Sequence, residues 1–246
     1  MNRTMRPPDR YAVFGHPIGH SQSPRIHALF AEATGQWLTY TAEDVAPAGF
    51  FAAVTAFFAS GGQGLNCTVP LKELAFQCAD ALSERAQRSR AVNTLARQAD
   101  GRIFGDNTDG VGLVRDLCAN LGVTLPAQRI LVLGAGGASR GILEPLLRQR
   151  PARLDIANRT AAKAAQLARE FGDLGPVTGG GLASLEGRCY DIILNATAAS
   201  LSNALPALPE GLLVPSGCCY DLAYGQQPTA FVRWGQAHGA GLSVDG

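Results

Sequence analysis

Apolar residues in this chain form short runs that alternate with apolar residues at helical spacing, which predicts strands followed by helices. The clearest example begins with Ile-Leu-Val-Leu at residues 130–133 and continues into glycines at positions 134, 136 and 137. Beyond them, apolar residues recur at the spacing of one helix face, at Ile142, Leu143, Leu146 and Leu147. This stretch therefore predicts a strand, a tight turn and a helix, in that order.

The predicted turn consists of Gly134, Ala135, Gly136, Gly137 and Ala138. In such a turn, backbone N–H groups at the start of a helix face an anion, and glycines allow a pyrophosphate to approach closely. The pattern therefore predicts a dinucleotide site. Its sixth position is Ser139 rather than glycine, so an ordinary strand-to-helix turn is the alternative interpretation.

Residues about 20 positions downstream favour one dinucleotide over another. The next apolar run ends at Asn158, which is followed by Arg159, Thr160 and, one helical turn later, Lys163. An NAD site would have an acidic residue here for the ribose hydroxyl, whereas two cations without a carboxylate suit a 2′-phosphate. The sequence therefore predicts NADP, and solvated cations at the start of a surface helix are the alternative.

The first half of the chain carries polar residues where predicted strands end. A strand at residues 11–14 leads into a loop with Ser21 and Ser23. Pro24 suits the first turn of a helix whose apolar positions include Ile26, Leu29 and Phe30. This spacing favours Ser23 as the helix N-cap, and the alternative is that both hydroxyls bind a small polyhydroxylated or carboxylated ligand.

Lys72 lies at a second predicted junction between a strand and a helix. Residues 65–69 predict a strand, and Pro70 is predicted to begin a helix with apolar positions at Leu71, Leu74, Ala75, Cys78 and Leu82. The start of a helix is unfavourable for a cation, because the unpaired N–H groups carry partial positive charge. Solvent around Lys72 is the ordinary interpretation, but open α/β folds also place their chemistry at such junctions.

Two further loops contain candidate residues. Asn93 lies between apolar residues at 91–95, and Asp109 follows the segment Gly105-Asp-Asn-Thr. Asp109 precedes a helical pattern at Val111, Val114 and Leu117, so an N-cap is its ordinary role. The alternative is a carboxylate that orients an amine.

Composition narrows the class of protein. The 246 residues are 46% hydrophobic with a formal net charge of +1, which argues against a nucleic-acid or membrane-surface partner. We find neither a signal peptide nor an apolar window of membrane-spanning length, so we expect a cytoplasmic protein. The six cysteines show no C-x-x-C spacing, which predicts reduced, mostly buried thiols and no metal site.

Eight ordered segments give the chain a resemblance to the shikimate dehydrogenase family. They are residues 13–24, 66–73, 91–95, 105–110, 134–140, 158–160, 195–197 and 220–224. Together with the pattern, this predicts an α/β protein with two domains and an active site in the cleft between them. Residues 1–110 would form an α/β substrate-binding domain and residues 111–246 a doubly wound, Rossmann-type NADP-binding domain, with loop-rich interruptions at 172–181 and 201–215.

The resemblance implies NADPH-dependent, reversible reduction of 3-dehydroshikimate to shikimate in aromatic amino-acid biosynthesis, with NADP(H) as the cofactor. It implies that Lys72 and Asp109 form the catalytic pair. The substrate residues that it implies are Ser21, Ser23, Asn66, Thr68, Asn93 and Tyr224. It assigns Gly134 to Ala138 to the pyrophosphate, Asn158, Arg159, Thr160 and Lys163 to the adenosine phosphate, and Thr197, Leu222 and Gly246 to the nicotinamide side.

The chain departs from the family pattern in two places. Residues 198–200 are Ala-Ala-Ser, where the family more often has Ser-Ser/Pro-Gly, so we expect this loop to differ. Family members continue past the equivalent of Asp245-Gly246 with an apolar helix that supplies a glutamine to the substrate, whereas this sequence stops there. We expect either a shortened sequence or a protein that exposes the surface under that helix.

Two other functions stay open from the sequence. One is a quinate or dual quinate/shikimate dehydrogenase, which could use NAD, because ring specificity depends on a few contacts. The other is a catalytically silent NADP-binding protein. In each case we expect a small-molecule ligand and a monomer or homodimer.

Overall fold

The computed structural model describes residues 7–202 and 204–246, and the chain folds into two compact α/β units. The first unit ends at Thr108 and the second runs from Asp109 to Gly246, where the sequence suggested a division after residue 110. Each unit has its own six-stranded sheet and its own buried core. The predicted α/β fold class is confirmed.

The first unit alternates strands and helices in its first half and ends in short strands. Its elements are β1 (Asp9–Gly15), α1 (Ser23–Thr34), β2 (Leu38–Asp44), α2 (Phe50–Ala59), β3 (Gly62–Cys67), α3 (Lys72–Cys78), β4 (Ala81–Leu82), α4 (Glu84–Ser89), β5 (Thr94–Arg97) and β6 (Ile103–Asp106). The sheet order is β2-β1-β3-β5-β6-β4, with β1 parallel to β2 and β3, and β5 antiparallel to β3 and β6. Helix α2 buries Phe50, Val54, Phe57 and Phe58 against this sheet.

Helix α1 forms where the sequence predicted it, whereas the predicted bounds of α3 are wrong. Helix α1 has no buried residue, and its apolar side chains Ile26, Leu29 and Phe30 are 42%, 56% and 58% exposed. Helix α3 begins at Lys72, after its N-cap Leu71, and not at Pro70 as predicted. It ends at Cys78, so Leu82 lies on β4, where it pairs with Gly105 of β6. Helical spacing continued by chance into a segment whose backbone groups bond to a neighbouring strand instead.

The second unit is a parallel α/β sheet. Its elements are α5 (Asp109–Arg115), β7 (Arg129–Leu133), α6 (Gly137–Leu147), β8 (Arg153–Asn158), α7 (Ala161–Phe171), β9 (Val177–Gly181), β10 (Tyr190–Asn195), β11 (Leu213–Asp221), α8 (Ala230–Ala237) and β12 (Leu242–Asp245). The order is β12-β11-β10-β7-β8-β9, with every neighbouring pair parallel.

Helices cover both faces of this sheet, because its central strands are apolar on both sides. The face with Ile130 and Val132 packs on α5, α6 and α7, and the face with Leu131 and Leu133 packs on Phe231 of α8. Strand order reverses at β7, which lies between β8 and β10. Open α/β sheets bind ligands at the carboxyl ends of the strands at such a point.

The second unit corrects two further details of the sequence analysis. The glycine-rich segment predicted as a loop at 172–181 contains β9, the edge strand of the sheet. A Cβ at Gly179 would collide with the backbone of Ala164, so glycine is required for α7 to pack against this strand. Val111 on α5 is 42% exposed, and Leu113 contributes to the core in its place.

All six cysteines are free, but only Cys67, Cys218 and Cys219 are buried, so the prediction of mostly buried thiols is half right. Burial raises the pKa of Cys218 to about 11 and that of Cys219 to about 12. Cys118 is exposed. Among the residues that the structure describes, no helix is both long and apolar enough to cross a bilayer.

Candidate active site

The predicted cofactor residues of the second unit all lie where its parallel strands end. Gly134 follows β7, Asn158 ends β8, and Thr197, Leu222 and Gly246 follow β10, β11 and β12. Gly134 donates its N–H to the carbonyl of Ala157 on β8 over 2.8 Å, and Ala196 donates to Leu133 over 2.9 Å. The structure therefore brings these residues to one edge of one sheet.

The glycine turn needs glycine at its first position. Gly134 has φ of +106°, and a Cβ there would come within 3.0 Å of the carbonyl oxygen of Ala196. Both the left-handed backbone and the close approach of the neighbouring strand exclude a side chain. This turn directs the chain from β7 into α6.

The start of α6 has the features of an anion site. Gly136 is the N-cap and supplies no side chain to the helix, so the N–H groups of the first turn have neither an intrahelical acceptor nor a capping oxygen. A Cβ on Gly136 would meet nothing within 4 Å, so the space in front of the turn is open. The buried hydroxyl of Ser139 has no hydrogen-bond partner among the described residues. These features fit a pyrophosphate.

The start of α7 also lacks a side-chain cap. Its N-cap, Thr160, makes no side-chain capping bond, and its first turn contains no acidic residue. Asn158 donates Nδ2 to the carbonyl of Thr160 over 3.1 Å, which holds the turn, while Arg159 and Lys163 are exposed. Two solvated cations without a competing carboxylate fit a 2′-phosphate.

The three residues predicted on the nicotinamide side are tied to two buried polar residues, Asn195 and Asp221. Asn195 Oδ1 accepts from the N–H of Thr197 over 3.2 Å. The N–H of Leu222 donates to the carbonyl of Asn195 over 2.9 Å, and that of Gly246 to the carbonyl of Asp221 over 3.1 Å. Sequence reasoning assigned no role to Asn195 or Asp221. The available signal was a polar residue at the end of each apolar strand.

Charge near this edge is negative on the β11 and β12 side. Burial and then the carboxylate of Asp221 raise the pKa of Asp245. Burial, followed by a 2.9 Å hydrogen bond to Asp116, raises the pKa of Tyr220. Tyr224, predicted on the substrate, is 37% exposed in the segment after β11.

In the first unit, the predicted substrate residues lie at the carboxyl ends of β1 and β3 and before β5. Ser21 Oγ accepts from the N–H of Ser23 over 3.3 Å. Ser23 is the first residue of α1, and Gln22 is the N-cap, without a side-chain capping bond. The prediction that Ser23 caps this helix is therefore wrong, and both hydroxyls stay half-buried.

Two asparagines of the first unit have fixed amide orientations. Tyr40 donates its hydroxyl to Asn66 Oδ1 over 2.6 Å, and Asn66 Nδ2 donates to the carbonyl of Asn93 over 3.1 Å. Asn93 donates Nδ2 to Thr108 Oγ1 over 2.9 Å and accepts from the N–H of Thr108 over 3.0 Å. Tyr40, stacked on His27 with ring centroids 4.0 Å apart, was missed by sequence reasoning because no motif contains it.

Lys72 and Thr68 belong to the same neighbourhood. Thr68 donates its N–H to the carbonyl of Phe14 over 2.9 Å, at the end of β1. Lys72 lies in the first turn of α3, as predicted, and its carbonyl accepts from the N–H of Val92 over 2.9 Å. The first unit thus brings Thr68, Lys72 and Asn93 to one end of its sheet.

Asp109 is the first residue of α5 and belongs to the second unit, whereas Lys72 belongs to the first. The predicted catalytic pair and the predicted cleft stay predictions.

A histidine–aspartate pair also lies in the first unit, where His16 Nδ1 and Asp44 Oδ1 are 2.5 Å apart. The hydrogen bond to His16 lowers the pKa of Asp44.

Comparison with known proteins agrees with this architecture. A family model described as the shikimate dehydrogenase substrate binding domain matches residues 13–95, and one described as shikimate / quinate 5-dehydrogenase matches residues 117–203. Shikimate dehydrogenase (NADP(+)) of Methylococcus capsulatus is 66% identical over 242 residues, covering 98% of this chain and 87% of that protein.

Two solved structures extend the comparison to the fold. An Ael1 enzyme from Pseudomonas putida is 46% identical with a TM-score of 0.82, covering 97% of this chain and 87% of that one. A shikimate 5-dehydrogenase from Thermus thermophilus, in complex with NADP(H) and shikimate, is 36% identical with a TM-score of 0.81, covering 95% and 86%. Identity of this extent over nearly the whole chain shows that the protein belongs to the shikimate dehydrogenase family.

Proposed function

We propose that this protein catalyses the NADPH-dependent, reversible reduction of 3-dehydroshikimate to shikimate, a step of aromatic amino-acid biosynthesis. The observation that carries the proposal is the edge of the second sheet where α6 and α7 begin. Neither helix start has a side-chain cap or an acidic residue in its first turn, and two cations lie at the start of α7. Membership of the family and a relative named for NADP(+) and shikimate support it.

Gly134 to Ala138 hold the pyrophosphate through backbone N–H groups at the start of α6. Asn158, Arg159, Thr160 and Lys163 hold the 2′-phosphate, and Thr197, Leu222 and Gly246 line the nicotinamide. When bound, NADPH supplies the hydride. The protein therefore has to bind and orient the two reactants and deliver one proton.

Ser21, Ser23, Asn66, Thr68, Asn93 and Tyr224 bind the hydroxyl and carboxylate groups of the substrate. The fixed amides of Asn66 and Asn93 support this role, because groups that are already oriented lose little entropy on binding. Hydroxyls and amides also suit a ligand whose polar groups are themselves mostly hydroxyls.

Lys72 and Asp109 form the catalytic pair. As the hydride reaches the carbonyl carbon, negative charge develops on the carbonyl oxygen, and the Lys72 ammonium donates a proton to it or stabilises it. The Asp109 carboxylate orients the amine. An acidic partner also compensates for the position of Lys72 at a helix start, which is unfavourable for a cation.

Replacing Lys72 by alanine tests this role. We expect kcat to fall by about 100-fold or more while KM for shikimate changes little, because proton transfer acts in the transition state. Steady-state kinetics with shikimate and NADP+ measure both constants. Glu73→Ala, an exposed neighbour on the same helix, is the matched control and should leave kcat unchanged. A loss confined to KM would contradict the catalytic role.

Replacing Arg159 by alanine tests the cofactor. We expect KM for NADP+ to rise about tenfold, because a charge-assisted contact to the 2′-phosphate is lost. KM for NAD+, which lacks this phosphate, should not change. Arg169→Ala, in the last turn of α7, is the control. An equal rise for both dinucleotides would argue against a 2′-phosphate site at Arg159.

A second candidate function is quinate or dual quinate/shikimate dehydrogenation, which the description of one matching family model favours. A third is NADP binding without turnover. Nicotinamide absorbance with shikimate or quinate, against NADP+ or NAD+, separates the three. Turnover only with quinate would overturn the proposed substrate, and NADP(H) binding without turnover would overturn the proposed activity.

A cytoplasmic location and a monomeric or homodimeric state are also part of this proposal. Cell fractionation measures the first, and light scattering of the purified protein measures the second.

A further inference from the structure

Asp221 is a buried carboxylate at the cofactor edge of the second unit. It is the last residue of β11 and is 0% exposed. Its Oδ1 accepts from Asn195 Nδ2 and from the N–H of Ala223, both over 3.1 Å. Its Oδ2 accepts from Ser200 Oγ over 2.6 Å and from Thr229 Oγ1 over 2.7 Å. The carboxylate is therefore held by four neutral donors.

These donors come from four segments that meet at one edge of the sheet. Asn195 ends β10, Ser200 lies in the helical turn Ala198–Ser202, Ala223 follows β11, and Thr229 caps α8. A single carboxylate thus fixes both the segment that follows β10 and the segment that follows β11. Removing its charge weakens four contacts at once, because hydrogen bonds to a charged group are stronger than those between neutral groups.

Asp221 also fixes the orientation of the Asn195 amide. A carboxylate only accepts hydrogen bonds, so Asn195 must present its NH₂ group to Asp221, and that group also donates to Ser200 Oγ over 2.9 Å. Asn195 Oδ1 therefore faces Thr197. A rotated amide would place NH₂ against the backbone N–H of Thr197, where two donors would face each other.

The orientation of the Asn195 amide in turn fixes the direction in which the Thr197 hydroxyl donates its proton. Thr197 Oγ1 donates its one proton to Asn195 Oδ1 over 2.8 Å. Toward any ligand, this hydroxyl can therefore only accept a hydrogen bond. The carboxamide of a nicotinamide ring offers an NH₂ donor of the matching kind.

We propose that Asp221 is a positioning residue for the nicotinamide half of the cofactor, which acts through Asn195 to make the Thr197 hydroxyl an acceptor and through Ser200 to hold the adjoining turn. This inference rests on the proposed use of NADP(H). The backbones of Leu222 and Gly246, the other residues assigned to the nicotinamide side, are bonded to the backbones of the same two residues, Asn195 and Asp221.

The test compares two ligands by isothermal titration calorimetry on the purified full chain. NADPH contains the nicotinamide, and 2′-phospho-ADP-ribose lacks it but keeps the remainder. For Asp221→Asn we expect the Kd for NADPH to rise about tenfold and the Kd for 2′-phospho-ADP-ribose to stay within twofold. For Ser200→Ala we expect a rise of about threefold for NADPH alone.

Thr178→Val is the matched control, because it removes a hydroxyl that donates to the other buried carboxylate of this sheet, Asp155, over 2.5 Å. It should bind both ligands as the wild type does. Unchanged NADPH affinity in Asp221→Asn, or an equal loss for both ligands, would overturn the inference. If Asp221→Asn has no cooperative melting transition, Ser200→Ala decides by the same criteria.

The outcome separates the inference from the proposed function. If the wild type binds NADPH but oxidises neither shikimate nor quinate, the proposed function fails, while a selective loss of NADPH affinity in Asp221→Asn still supports the inference. If the wild type turns over shikimate and the variants bind NADPH normally, only the inference fails. A wild type that does not bind NADPH overturns both.

Discussion

Two buried carboxylates of the second unit, Asp155 and Asp221, are held in opposite ways. Asp155 forms ion pairs with Arg153 at 2.7 Å and Arg188 at 2.8 Å, and it accepts hydrogen bonds from the hydroxyls of Tyr190 and Thr178, each over 2.5 Å. The four donors to Asp221 are all neutral. Both residues face the same side of the sheet, since Ala157 and Cys219, two positions away, share one core cluster.

The difference separates a carboxylate that stabilises the sheet from one that orients loops. Two cations neutralise Asp155 in the interior of β8, and most of its partners lie on strands or directly beside them. Asp221 lies at a strand end and has no cation among its four donors, so its effect extends to the loops that supply those donors. A buried acidic residue in a sheet therefore has to be interpreted by the charge and position of its donors.

Of the substitutions that test this comparison, Asp155→Asn is expected to have the largest effect. We expect the free energy of unfolding of the second unit to fall by about 2 to 3 kcal/mol, because two arginines lose a buried counter-charge, although both are partly solvated. NADPH affinity should not change. Denaturant unfolding in a Trp37→Phe background measures the loss, because Trp234 on α8 is then the remaining tryptophan.

Asp221→Asn in the same background completes the comparison. It should lose less stability than Asp155→Asn and more NADPH affinity. The reverse ranking in either measurement would mean that donor charge does not distinguish the two roles.

A smaller effect is expected at Tyr190, whose hydroxyl donates to Asp155. Burial and then the hydrogen bond to Asp155 raise the pKa of Tyr190 to about 12. The folded state therefore keeps the phenol proton while the unfolded chain loses it near pH 10, so stability present below pH 10 is lost as the pH rises toward 12. Tyr190→Phe should cost about 1 kcal/mol at neutral pH.

The same variant should show a weaker decline in stability between about pH 10 and 12 than the wild type, since it has no phenol to titrate. Denaturant midpoints at a series of pH values measure this. Parallel curves for wild type and Tyr190→Phe would rule out a contribution from Tyr190 ionisation.

The sequence predicted those parts of the fold that depend on local periodicity. Strand β7, the turn at Gly134 and the apolar face of α6 follow directly from residue spacing. Strand β9 could not be predicted from residue spacing, because Val-Thr-Gly-Gly-Gly is typical of a loop. Only the close approach of α7 at Gly179 explains the glycines. Spacing also could not reveal that the apolar face of α1 stays uncovered.

The candidate site was predicted in part. The uncapped helix starts and the cations at Arg159 and Lys163 could be inferred because they are properties of single segments. The roles of Asn195, Asp221 and Tyr40 could not, because each depends on donors and acceptors from segments distant in sequence. Which polar residues are buried together is decided by tertiary packing.

The cysteines show how burial controls thiol chemistry in this protein. With pKa values of about 11 and 12, Cys218 and Cys219 contain almost no thiolate at neutral pH, and the native sheet shields both sulfur atoms from reagents. Alkylation and air oxidation therefore begin elsewhere, first at Cys118, which is exposed, whereas Cys78 and Cys189 are half-buried. A maleimide dye attached there would report on the second unit without disturbing its sheet.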